Sequence, residues 1–133
     1  MPTTLPNGLV IWNATPHDLH FWCRKELEIV TAPSDEVVNV KTWNDRVLET
    51  EKYELTKVSF YPTKEGRELI QRIKLEYPEA LIVGSIIAAD AYRGDVVASI
   101  PEQSRRYNKN NRLVRYDRFT VYEESENQNG SSE

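Results

Sequence analysis

"ALIVGSIIAADAYRGDVVASIP" (residues 80–101) changes its pattern twice in twenty-two residues, and its reading decides the fold. Residues 80–84 are continuously apolar and end at Gly84, as a strand buried on both faces would be. "SIIAADAYRG" (85–94) reads as a short helix with Ser85 as its N-cap and Gly94 just past its end. "DVVASIP" then returns as a strand. A strand–helix–strand unit of this kind belongs to a sheet with helices laid on it.

Working upstream, "PTKEGRELIQRIKLEYP" (62–78) places Leu69, Ile70, Ile73 and Tyr77 at helical spacing. Thr63 is its N-cap, Glu65 lies in the first turn, and Pro78 ends the run. Before it the chain is rich in β-formers: "LVIW" (9–12), "LHFW" (19–22), "ELEIV" (26–30), "VVNV" (37–40) and "KYELTKVSFY" (52–61). Residues 41–51 are polar and carry no clear signal. Downstream, "RFTVYE" (118–123) is the closing strand. The expected fold is α+β, a single domain with a mixed β-sheet and two helices packed on it. The globular part spans residues 1–122, and 123–133, polar and acidic, form a disordered tail.

The totals agree with one soluble domain. The chain has 133 residues, of which 39% are hydrophobic and 29% charged, with a formal net charge of −4. An acidic balance argues against binding duplex nucleic acid. One cysteine, Cys23, cannot form an internal disulfide, which fits a cytoplasmic setting. The N-terminus shows no basic region followed by an apolar one, and no apolar run has membrane-spanning length, so neither export nor a membrane partner is expected.

Three stretches carry polar chemistry. The first is "NATPHD" (13–18), a turn stiffened by Pro16. Asn13, Thr15 and Asp18 are residue types that bond to nearby backbone, so a structural turn accounts for them. The functional alternative places Asn13, Thr15 and His17 at a ligand, with the His17 imidazole as acid, base or anion contact. The second is Gly84-Ser85, where free N–H groups at a helix start suit phosphate or carboxylate, and where Ser85 is otherwise only a cap. The third is "PEQSRRYNKNNRLVRYDR" (101–118), with six basic residues against two acidic ones. Its net +4 leaves −8 for the rest of the chain. Arg105 and Arg106, with Arg93 just upstream, are the guanidinium candidates for an anion.

Other chemistries are excluded by what the chain lacks. One Cys and two nearby His do not make a zinc set, so no metal site is expected. Neither dinucleotide nor P-loop glycine fingerprints are present, and no cofactor is implied. "VGSII" lacks the second glycine of a nucleophile elbow.

The order Asn13-x-Thr15-Pro16-His17, then "EALIVGSIIAADAYRGDVVA", then "RFTVY" resembles a family of small domains in fungal, bacterial and phage-type sequences that open with Asn-Ala/Leu-Thr-Pro-His. The resemblance covers residues 9–122. That family has no established activity, so it implies a shared fold and pocket but no reaction, and its phage members bring viral nucleotide-signal binders into view.

Three functions follow as expectations. The first is binding of a small anionic molecule, such as a nucleotide, by Asn13, Thr15, His17, Ser85, Arg93, Arg105 and Arg106. The second is a metal-independent hydrolase or phosphodiesterase with His17 as general acid or base, Asp18 as its orienting partner and an arginine such as Arg93 or Arg105 stabilising developing charge. The third is an interaction subunit in which Trp12, Trp22 and Trp43 form a homodimer face.

Overall fold

A computed structural model describes residues 1–102 and 113–123. Eleven elements follow one another: β1 (Thr3–Thr4), β2 (Val10–Asn13), β3 (Leu19–Cys23), β4 (Glu28–Ala32), β5 (Val40–Glu49), β6 (Glu54–Pro62), α1 (Lys64–Glu76), β7 (Ala80–Gly84), α2 (Ile86–Ala91), β8 (Val97–Pro101) and β9 (Leu113–Val121). Among the described residues, seven strands make one mixed sheet in the order β1-β2-β7-β8-β9-β3-β4, while β5 and β6 pair only with each other. β2, β7 and β8 run parallel, α2 is the crossover from β7 to β8, α1 leads into β7, and β9 turns back antiparallel to β8.

Connectivity forces the sheet to curl. β2 and β3 are joined by residues 14–18, yet β7, β8 and β9 lie between them in the sheet. In a flat sheet that is four strand spacings, about 19 Å. The link is folded on itself, with Asn13 Nδ2 donating to His17 O at 2.9 Å, so it does not stretch that far. The sheet bends until β2 meets the far edge, where Asn13 Nδ2 donates to Ala32 O of β4 at 2.8 Å. The outcome is a nearly barrel-shaped sheet.

Each face of the curl has its own core, because alternate strand residues point to opposite sides. The inner face gathers Leu5, Ile11, Leu19, Phe21, Cys23, Ala32, Val83 and Val114. Burial and the carboxylates of Glu26 and Glu28 push the Cys23 thiol up to about 11. The outer face packs Trp12, Ile82, Val96 and Ala98 against Leu69, Ile70 and Ile73 of α1 and Ala88 and Ala89 of α2. Thr63 caps α1 by accepting from Gly66 N at 2.9 Å, and Lys74 near its end pairs with Asp95. Among the described residues, no buried side-chain nitrogen or oxygen lacks a hydrogen-bond partner.

Two glycines are set by close approach. A Cβ on Gly66 would lie 1.9 Å from Tyr92 Oη, which bridges the base of β5–β6 to the body by donating to Asn39 O (2.5 Å) and accepting from Thr63 N (2.9 Å). A Cβ on Gly84 would lie 2.8 Å from Val96 Cγ1 and 3.1 Å from Ala88 Cβ, where β7 runs into α2.

The sequence expectation of one domain with a mixed sheet and two helices is met at that level, with strands dominating the structure. Three details differ. Residues 41–49, which carry no clear signal in the sequence, belong to the longest strand, and only the last residue of 37–40 is in a strand. The final strand starts at Leu113 rather than at residue 118. Trp12 and Trp22 are buried, whereas Trp43 is 54% exposed. No helix among the described residues is long and apolar enough to cross a membrane. Of the expected tail, 123–133, all but Glu123 lies outside the described residues.

Candidate ligand cleft

Asn13 builds the turn that the sequence singles out. Its backbone N donates to Asp35 Oδ2 at 2.7 Å and its carbonyl accepts from Asp35 N at 2.8 Å. Its side-chain amide donates to His17 O and Ala32 O, and Oδ1 accepts from Thr15 N (3.0 Å) and Thr15 Oγ1 (2.6 Å). Thr15 is held again from outside, since Ser34 Oγ donates to its carbonyl. Asn13 and Thr15 are both buried, with their polar atoms used in holding the turn. From this fixed base Pro16, His17 and Asp18 stand exposed. His17 Nδ1 is 3.5 Å from Thr15 Oγ1.

The second wall comes from the next parallel strand. Asn13 pairs with Val83, and Ala14 N donates to Val83 O at 2.8 Å, so the two strands end side by side. β2 leads into the turn, and β7 leads through Gly84 into Ser85. Ser85 Oγ accepts from Ala88 N at 3.0 Å and Ser85 O from Ala89 N at 2.8 Å. The amides of Ile86 and Ile87 fall in the first turn, where no earlier helical carbonyl exists to receive them.

The floor is where β8 and β9 part. Their register runs Val97↔Val121 and Ser99↔Phe119 but then jumps to Pro101↔Val114, a shift of three residues in β9. Pro101 has no N–H for the ladder, which fits the break. Arg115, in the displaced stretch, turns to Glu102 (3.6 Å) and Asp117 (3.1 Å).

Together these parts enclose an open cleft of ≈ 910 Å³ lined by the turn, Leu19, His20, Gly84, Ser85, Ile86, Ala98, Ser99, Pro101 and Val114. The ionisable groups on its described walls are His17, Asp18 and His20. His20 Nδ1 lies 2.8 Å from Thr31 Oγ1.

The structure therefore brings Thr15, His17, Asp18 and Ser85 to one place, with Asn13 directly beneath. Arg93 lies elsewhere, in a hollow of ≈ 380 Å³ at the end of α2, and pairs with Asp90 at 2.6 Å. Arg105 and Arg106 lie outside the described residues. Ser99, Pro101 and Val114 were not anticipated as cleft residues. Their one sequence signal is Pro101, a proline closing a β-rich run. Among the described residues no group of three or more His, Cys, Asp or Glu could hold a metal ion.

No protein-family model matches the chain, and neither the curated proteins nor the solved structures yield a match to it.

Proposed function

We propose that the chain is a binding domain for a small anionic molecule of nucleotide size, held in this cleft. One observation carries the reading. Two features picked from the sequence for anion chemistry, His17 and the Ser85 helix start, lie far apart in the chain and line a single cavity. Its volume falls within the ~300–1,000 Å³ of ordinary ligand sites. The site also lies past the carboxyl ends of parallel strands, where open α/β sheets take their ligands.

The roles follow from the geometry. The His17 ring and the first amides of α2 donate to the anion, while Ile86, Ala98 and Val114 give an apolar bed for a base or similar ring. Asn13 and Thr15 act indirectly, by fixing the height and direction of His17. Arg105 and Arg106 are the guanidinium donors in this proposal.

The hydrolase reading needs Asp18 to orient His17. The described hydrogen bonds of the turn run instead from Thr15 N to Asn13 Oδ1, with the one Thr15 hydroxyl proton shared between Asn13 Oδ1 and His17 O, and no observation favours turnover over binding.

A thermal-shift screen with inorganic phosphate, mononucleotides and cyclic dinucleotides tests the proposal. A true ligand at a hundred times its dissociation constant stabilises the fold by about 2.7 kcal/mol. His17→Ala should weaken it about tenfold, some 1.4 kcal/mol, with the unliganded melting temperature unchanged. Failure of every phosphate-bearing compound to stabilise the chain removes the reading.

A further inference from the structure

The longest described strand, β5, lies outside the curled sheet together with its partner β6. β5 and β6 form a ribbon of ten and nine residues, roughly 33 Å long at ~3.3 Å per residue, that meets the body at its base. Of the fifteen large exposed apolar residues among those described, seven lie between Trp43 and Tyr61. Two-stranded ribbons are marginal in water, and an uncovered apolar patch marks a contact surface.

Register sorts the side chains onto two faces. On one, Arg46 binds Glu49 (2.9 Å) and Glu54 (3.0 Å). On the other, Lys41 lies opposite Tyr61, Trp43 opposite Ser59, Asp45 opposite Lys57 and, past a bulge, Leu48 opposite Leu55. Trp43, Leu48, Leu55 and Tyr61 on this second face are each 45–54% exposed.

Charge selects the occupant. Residues 40–62 carry Lys41, Arg46, Lys52 and Lys57 against Asp45, Glu49, Glu51 and Glu54, a neutral segment in a chain of net charge −4. A polyanion gains no net attraction here. A bilayer would have to accept a tip that carries Glu49, Glu51 and Glu54. A second ribbon fits better. Turned over about the strand axis, it lays each β5 on the partner's β6. Asp45 then faces the partner's Lys57, Leu48 faces the partner's Leu55, and Lys41 faces the ring of the partner's Tyr61. No like charges meet.

We infer that two copies of the chain pair through the Trp43–Leu55–Tyr61 face of their ribbons. The footprint sets the strength. A face about 33 Å by 10 Å covers about 330 Å² in plan, so two copies bury roughly 660 Å², below the ~1,200 Å² of standard stable interfaces. The dimer is weak and reversible.

Sedimentation equilibrium of the full chain, from about 5 μM to about 500 μM, should show monomer at the low end and dimer growing in at the high end. Trp43→Ser with Leu55→Lys should raise the dissociation constant at least tenfold at an unchanged melting temperature. Asp45→Lys should weaken pairing, and adding Lys57→Asp should restore it. Monomer throughout the range overturns the inference, as does a dimer indifferent to these changes. So does a ribbon that brings the chain down with phosphatidylserine vesicles while the protein stays monomeric in solution.

Discussion

The curled sheet and the β5–β6 ribbon use similar residues and come to opposite ends. In the sheet, Ile11 and Trp12 point to different cores and both are buried. In the ribbon, Trp43 and Val58 sit in equally regular strands and stay exposed. What separates them is the presence of a second layer. A strand residue is stabilised by what lies on its face, so β-propensity alone says nothing about burial. Polar groups follow the same division. Asn13, fully enclosed, has every side-chain hydrogen-bonding group engaged, whereas the ribbon's ionic groups pair at its surface beside water.

That contrast can be broken most sharply at Asn13. Asn13→Ala strips partners from Ala32 O, His17 O and Thr15 N inside the fold, and a loss of about 3 kcal/mol is expected in urea unfolding. A loss under about 1 kcal/mol would mean that water replaces the amide and that the turn is not truly closed. Gly66→Ala strikes where the two regions join. Its methyl displaces Tyr92 Oη from Asn39 O and Thr63 N, for an expected cost of about 2 kcal/mol. Proteolysis should then cut the ribbon before the sheet, and uniform cutting would show the two regions to be one cooperative unit. The mildest comparison uses one substitution twice. Val83→Thr buries a hydroxyl in the inner core and should cost about 2 kcal/mol, while Val58→Thr on the ribbon should stay within about 0.5 kcal/mol. Equal costs would show that the ribbon is covered in solution.

The legible parts of the fold were those where one element carries its own signal. Thr63, the apolar positions of α1 and Pro78 defined that helix, and Gly84-Ser85 defined the step from β7 to α2. β5 was not legible, because "KTWNDRVLE" offers no clean alternation. Its strand form comes from pairing with β6, nine partners long, which no local window contains. At the site, the Asn-x-Thr-Pro-His turn and Ser85 were readable, since turn and cap chemistry is local. The β8–β9 register jump that opens the floor was not. It depends on two strands meeting across the chain, and only Pro101 hints at it.

The parallel pairing of β2 with β7 also dictates an order of events as the chain is made. Ile11 waits for Leu81 and His20 waits for Leu113, so β2 has only the two-residue β1 beside it, and β3 only β4, until the later strands are synthesised. The ribbon and the β3–β4 hairpin, closed by short local loops, form within microseconds of emergence. The barrel-like sheet, built on distant contacts, assembles late and slowly. Nascent β2 is the stretch that a holding chaperone would find waiting.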